Sequence, residues 1–366
     1  MTDIFHDGDT TAAQKAGGVV AVGSWTLHLP QAFGFCGGVQ HALKTLQHTL
    51  ATRGTRTVWL LGQIIHNDTV NAFFRTQGAH ILPEQQIDSV FARAAPDDII
   101  VIPAFGVPLD LDSRLRAFCR SPDQLVDTTC RYVKRIWTFV EAMAAEKRTI
   151  LIHGKPDHPE TRATLSRALT PENAVILIPD LAAARHLADL IRRRALAEVP
   201  QSLVRNPGRL TLERMALVNQ TTMLYQETKE IDAVIHDALD SVRGSLALAE
   251  TLCRATQDRQ NAATELCRKG CDLAIVVGGF SSSNTTQLYR LAKEYCPTYF
   301  IRDATALTRA EIRHHHPDRH ETAVTRDWLP ASVRHIGILA GASCPPCDIG
   351  DVLRRFRALA GEAEIR

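Results

Sequence analysis

Short apolar runs recur along the chain between longer stretches of helical periodicity. They are Val58–Leu61, Ile99–Ile102, Thr149–Ile152, Ala174–Ile178, Ala216–Val218, Leu273–Val277, Tyr299–Ile301 and Ile336–Leu339. Their length and β-branched content predict buried strands rather than helices. Several are followed at once by polar or glycine-rich residues: GQIIHND, PAFG, HGKPDHPET, NQTT, GGFSSSN and AGASCPP. In open α/β sheets the ligand crevice lies beyond the carboxyl ends of the strands, so this distribution alone predicts a site to which many strand ends contribute.

The pattern reads as three α/β domains, 39–131, 132–252 and 253–366, with an N-terminal segment 1–38 that packs with the third. Three similar units are compatible with a pseudo-threefold arrangement. The stretch Val199–Arg209, with two prolines and a glycine, is expected as an exposed connection inside the second domain.

Composition narrows the class. The 366 residues are 45% hydrophobic and 22% charged, which suits a folded globular protein and excludes disorder and fibres. A formal net charge of +2 gives no overall field for nucleic acid or an anionic membrane, so neither is expected as a partner. The first eighteen residues are polar and acid-leaning, unlike a signal or transit peptide, and no apolar run is long enough to span a bilayer. A cytoplasmic location is the expectation. Nine unevenly spaced cysteines, an odd number, argue against a disulfide framework and for a reducing compartment.

Three of those cysteines stand apart. Cys36 lies in a glycine-rich turn before a helical pattern, Cys130 ends DTTC, and Cys253 lies in TLCRATQ. Singly, each reads as a small buried hydrophobe; together, three thiols in three polar segments read as an incomplete metal site. A structural zinc takes four protein ligands, whereas an iron–sulfur cubane held by three thiolates keeps one iron open.

A second constellation suits phosphate. Gly278–Thr286 follows a strand and opens a helix, so Ser282, Ser283, Asn284 and free backbone N–H groups gather where a helix N-terminus favours anions; an N-cap with a serine-rich loop is the plain alternative. Ser343 adds a hydroxyl after another strand, and His66 and His158 also follow strands, where imidazoles can donate to phosphate oxygens. Glu160, two residues after His158, reads locally as a first-turn carboxylate that complements the helix dipole. Its functional reading is proton delivery, aided by Thr221 and Thr222.

With GFCGGV, HNDTVN, PAFG, DTTC, HGKPDHPET, NQTTM, TLCRATQDRQ, VVGGFSSSNT and GAS in this order, the chain from about Ala32 to Leu353 resembles the 4-hydroxy-3-methylbut-2-enyl diphosphate reductases, the LytB family. It is most similar to the cyanobacterial and plant-like branch, which shares PAFG and the Trp328-Leu-Pro segment. The resemblance implies three α/β domains around a central cavity holding a 4Fe–4S cluster on Cys36, Cys130 and Cys253. It implies that the substrate hydroxyl meets the open iron while His66, His158, Ser282, Ser283, Asn284 and Ser343 hold the diphosphate. Glu160 with Thr221 then protonates the departing oxygen, and two electrons give isopentenyl or dimethylallyl diphosphate, completing the non-mevalonate route. Ferredoxin or flavodoxin is the implied electron donor, and the chain is expected as a monomer or homodimer.

Some positions depart from the family pattern. Phe105 stands where many bacterial members have histidine, Arg131 where proline is usual, Gly37 where a larger residue is found, and Arg254 where an acid is frequent. Arg131 and Arg254 each adjoin an expected cluster ligand and suit the steering of an acidic donor, unless they pair with carboxylates such as Asp127 or Asp258. Cys267 and Cys271, with Cys344 and Cys347, offer a second metal site, for which core packing is the simpler reading. The competing function classes are an iron–sulfur redox sensor, a reductase of another allylic diphosphate, and a zinc-bound interaction module. Glu160 and an intact Ser282–Asn284 run favour the enzyme, since a sensor needs neither.

Overall fold

A computed structural model describes residues 5–249 and 251–361 as a mixed α/β chain with three sheets. The first four residues of the polar leader and the last five of the chain lie outside the described residues. All eight strands expected from the apolar runs are present, each within two residues of its expected ends. The chain divides into two compact units: Met1–Gln40 with Ile65–Phe73 and Arg254–Arg366, and His41–Ile64 with Phe74–Cys253.

The first unit is built on the seven-stranded sheet. Its centre is parallel, Trp25–His28 beside His335–Ala340, then Leu273–Val277, then Thr298–Ile301. Leu273–Val277 is buried along its whole length, so its continuous apolar run serves two cores. On one side lie Ile275, Ile338, Trp328 and Phe356; on the other, Val276, Leu339, Phe300 and Tyr289. Antiparallel hairpins close both edges, Val19–Val22 with Trp25–His28 and Glu311–His316 with Glu321–Arg326. The helix Pro346–Ala360 is tied to the N-terminal helix Gly8–Lys15 by Arg354, which bonds Asp7 and Asp9 at 2.9 and 2.6 Å.

The second unit holds two sheets. Ala79–Leu82, Val58–Leu61, Ile99–Ile102 and Leu125–Asp127 form one, all parallel. Ser245–Leu248, Arg214–Asn219, Thr149–His153 and Val175–Ile178 form the other, with Val204–Arg205 antiparallel at its edge. The exposed connection expected over Val199–Arg209 holds at 200–202 and 206–209, where a turn and the helical turn Pro207–Arg209 lie at the surface. It fails at Val199 and Val204, which are buried, Val204 pairing with Ile176 in that edge strand. Two valines that reach the core outweigh the one proline, Pro200, between them.

Candidate functional site

Each unit carries its own set of polar groups at strand ends. In the first, Leu273–Val277 runs through Gly278–Ser282 into the helix Ser283–Lys293. Ser282 is the N-cap: its Oγ accepts from Thr285 N at 3.3 Å and shares bonds with Thr285 Oγ1 at 2.9 Å and Ser343 Oγ at 3.1 Å. Asn284 Oδ1 accepts from Ala342 N at 2.9 Å, and Cys36 N donates to Ala342 O at 3.3 Å. A Cβ on Gly279 would stand 2.4 Å from the carbonyl oxygen of His66, so glycine there lets the two loops touch backbone to backbone. Cys36, His66, Ser282, Ser283, Asn284 and Ser343 therefore share one neighbourhood, as expected of strand-end groups.

Capping explains Ser282 but not its neighbours. Ser283 Oγ and Asn284 Nδ2 are buried and have no hydrogen-bond partner. Orphaned donors at the N-terminus of an eleven-residue helix are costly in a closed protein and suited to a bound anion. The Cys36 loop is fastened from behind by Arg259, whose Nη2 and Nε donate to Gly34 O at 2.6 and 3.2 Å. No local motif revealed that role for Arg259.

In the second unit Thr149–His153 leads to His158, which caps the helix Pro159–Ala168. His158 Nδ1 accepts from Glu160 N at 3.2 Å, which leaves the ring proton on Nε2 as a donor. The edge of the Phe105 ring meets His158 at 5.8 Å between centroids. Glu160 is only 2% exposed, so the reading of a surface first-turn carboxylate does not hold. Its Oε1 accepts from Thr221 N at 2.6 Å and its Oε2 from Thr221 Oγ1 at 2.8 Å. Burial nevertheless pushes the carboxyl up to about 7, outweighing both bonds. It is a protonatable acid at neutral pH.

Thr222 does not share this work. It accepts from Gln220 Nε2 at 2.6 Å, and Gln220 Oε1 in turn accepts from Lys155 N and Thr161 Oγ1. Gln220 thus ties the NQTT loop to the HGK loop. Asn219 completes the brace: its backbone N–H donates to Thr251 Oγ1 at 2.9 Å, and its Oδ1 lies 3.1 Å from Nδ1 of buried His153. Polar residues deep in apolar strands were the available signal for these braces.

The thiols share one local design. Cys36, Cys130 and Cys253 each immediately precede a helix, Gly37–Thr52, Arg131–Ala145 and Arg254–Arg268. Cys36 Sγ accepts from Val39 N, in the first turn of its helix, at 3.4 Å. Cys253 N donates to Thr221 O at 3.4 Å, which puts this residue beside the partner of Glu160. Among the described residues no three His, Cys, Asp or Glu side chains form a metal-holding group, and the thiols are divided, Cys36 in the first unit, Cys130 and Cys253 in the second. The donor set itself fits a thiolate-held cluster better than any oxygen-ligated ion.

The remaining cysteines pack. Cys267 sits with Cys271 and Cys296 in one core and Cys344 in another, so the two pairs do not combine. Burial pushes the Cys271 and Cys347 thiols up to about 12, so in the metal-free protein they are protonated. Arg131 and Arg254 are exposed. Asp127 pairs with Lys134 at 2.7 Å, while Arg131 lies over the Tyr132 ring.

Residues 27–357 match the family model described as "LytB protein". A 4-hydroxy-3-methylbut-2-enyl diphosphate reductase of Nostoc sp. is 33% identical over 94% of this chain and 87% of its own length. The Gloeobacter violaceus protein of the same name is 34% identical over 93% and 85%. The structure of the reductase from Plasmodium falciparum shares the fold, with a TM-score of 0.68 and 21% identity over 90% of this chain and 86% of that one. A second solved structure, titled (E)-4-hydroxy-3-methyl-but-2-enyl diphosphate reductase, the terminal enzyme of the non-mevalonate pathway, gives a TM-score of 0.56 and 26% identity over 91% and 99%.

Proposed function

Because the chain belongs to the LytB protein family, we propose that it is a 4-hydroxy-3-methylbut-2-enyl diphosphate reductase, which removes the allylic hydroxyl and completes the non-mevalonate isoprenoid route. The observation that carries this reading is the Glu160–Thr221 pair, a buried acid that titrates near neutrality beside Cys253. Reductive dehydroxylation consumes two electrons and two protons: one proton leaves with the hydroxyl as water and the other reaches carbon. An acid that holds its proton at pH 7 and releases it to a leaving oxygen meets the first requirement.

In this reading Cys36, Cys130 and Cys253 hold a 4Fe–4S cluster. The cluster, when bound, supplies the electrons and an open iron for the substrate oxygen. The chain's own residues do the rest. Ser283 Oγ, Asn284 Nδ2 and the His158 Nε2–H bind the diphosphate oxygens together with His66, Ser282 and Ser343. Thr221 orients the Glu160 carboxyl through both of its oxygens. Tight burial of Glu160 disfavours its charged form and so keeps the acid protonated up to near neutral pH. A cytoplasmic enzyme, monomer or homodimer, reduced by ferredoxin or flavodoxin fits this chemistry, with exposed Arg131 and Arg254 as steering charges for an acidic donor. None of the described helices is long and apolar enough to cross a membrane.

The cap and the cradle separate by mutation. Ser282→Ala removes the N-cap and is expected to destabilise the fold by about 0.5–2 kcal/mol. Ser283→Ala removes a donor that has no partner in the free protein, whereas Asn284→Leu removes such a donor together with the Oδ1 that accepts from Ala342 N. Ser283→Ala should leave the unfolding midpoint nearly unchanged and Asn284→Leu should destabilise the fold by about 1–3 kcal/mol, while both weaken binding of inorganic diphosphate about tenfold or more. Calorimetric titration with diphosphate reads this directly; unchanged affinity in both variants would reduce the loop to a helix cap. The function itself is tested by offering the allylic diphosphate and the corresponding unphosphorylated diol to the reconstituted protein under reducing, anaerobic conditions. Only the diphosphate should be consumed, and equal consumption of both would overturn the reading.

A further inference from the structure

Beneath Phe105 and His158 lies a closed circuit of contacts that the chemistry above does not use. Arg167, at the far end of the helix that His158 begins, is 4% exposed. Its guanidinium lies 3.6 Å over the Trp137 ring, and its Nη1 donates to Val107 O at 2.9 Å. Trp137 presses on Gly106 so closely that a Cβ there would stand 2.3 Å from the indole and 3.2 Å from Thr129 Cγ2; Gly106 also has φ +77°, so glycine is required twice over. On its other sides Trp137 packs with Val133, Ala163 and Cys130. Cys130 N donates to Ala104 O at 3.0 Å.

The loop Ala104–Val107 is thus fastened at three of its four residues: Ala104 by Cys130, Gly106 by Trp137 and Val107 by Arg167. The fourth, Phe105, meets His158. The packing leaves one side of the indole open. A polar cleft of about 280 Å³ opens beside it, lined by Thr129, Lys134, Thr138, Glu141 and Arg167. Trp137 Nε1 is buried without a partner, so no hydrogen bond fixes the ring either. The face-on cation adds to the packing a constraint on the ring's orientation, and a desolvated guanidinium over an indole is the strongest form of that contact.

We propose that Arg167 and Trp137 are positioning residues, a clamp that sets the Phe105 ring against His158 and so orients the His158 donor toward the diphosphate. The assignment of His158 to the diphosphate rests on the reductase reading; the clamp's effect on the His158 ring does not. Asp112 keeps Arg116 at 3.1 Å when Arg167 is removed, so Arg167→Met leaves no stranded buried anion.

The test has two readouts. In the free protein, without cluster or substrate, histidine-selective NMR should show the His158 ring signals shifted in Arg167→Met, with Arg167→Lys partway between. In the loaded enzyme the same variant should raise KM for the allylic diphosphate about three- to tenfold with kcat within about twofold, the signature of lost ground-state binding. If Arg167→Met does not fold, Trp137→Phe carries the same test, because the smaller ring binds the cation less well. A lower unfolding midpoint with His158 signals and KM at wild-type values would reduce the pair to a stabilising contact and overturn the proposal. Failure of wild-type protein to turn over the diphosphate would instead remove the reductase reading and leave the NMR result to decide on the clamp.

Discussion

Serine at Cys36, Cys130 or Cys253 is expected to remove most of the visible cluster absorbance and to lower turnover by about a hundredfold or more, since even residues that only support a ligand cost about ten- to a hundredfold. The substitution is nearly isosteric but exchanges a soft thiolate for a hydroxyl that stays protonated at neutral pH. Each position immediately precedes a helix of fifteen residues or more, so the substitution changes the ligand atom without disturbing a helix interior. Cys271→Ser and Cys347→Ser are the controls. Their buried, high-pKa thiols are outside the proposed ligand set and should keep full iron content. Anaerobic reconstitution followed by iron and sulfide analysis decides the matter; full loading of any one of the three ligand variants would reject the ligand set.

Glu160→Gln is expected to keep diphosphate affinity and lose about 10²- to 10⁴-fold in turnover, the usual contribution of a general acid. Gln reproduces the protonated acid: its carbonyl accepts from Thr221 N and its amide donates to Thr221 Oγ1, so the pair at 2.6 and 2.8 Å can persist. What it lacks is a transferable proton. In the wild type the protonated form is the active one, so the rate should fall as pH rises through about 7. Stability carries the same sign. The folded carboxyl titrates near 7 and the unfolded one near 4.5, so between these values the folded state holds a proton that the unfolded state has released. Stability contributed by this group is full below pH 4.5 and declines as pH rises toward 7. The Gln variant should lack that decline and unfold at a higher midpoint than wild type at pH 8. Steady-state rates and thermal melts at pH 6 and pH 8 read both effects.

Much of this was legible along the chain. The eight apolar runs became strands because a parallel strand covered on both faces must be apolar throughout, and Leu273–Val277 is such a strand. The runs missed the edges for the same reason. Glu311–His316 and Glu321–Arg326 pair along their whole length, yet consist mostly of charged residues, histidines and threonines, so no apolar run marks them. Leu125–Asp127 is too short to show any period. At the site, Ser282 was ambiguous between cap and ligand; it caps the helix, while Ser283 and Asn284 hold the orphaned donors. Glu160 was hidden because a first-turn carboxylate looks the same in sequence whether it faces water or, as here, lies buried against Thr221, sixty-one residues away. The Arg167–Trp137 clamp joins residues thirty apart on two helices and gives no local sign at all.

The most direct test is a single anaerobic turnover experiment with reconstituted protein, reduced viologen and 4-hydroxy-3-methylbut-2-enyl diphosphate. The account predicts two electrons consumed per diphosphate, with isopentenyl and dimethylallyl diphosphate as the products and water as the fate of the hydroxyl. Protein fully loaded with cluster that oxidises no viologen in the presence of this diphosphate, or that oxidises it and leaves the hydroxyl in place, would contradict the account.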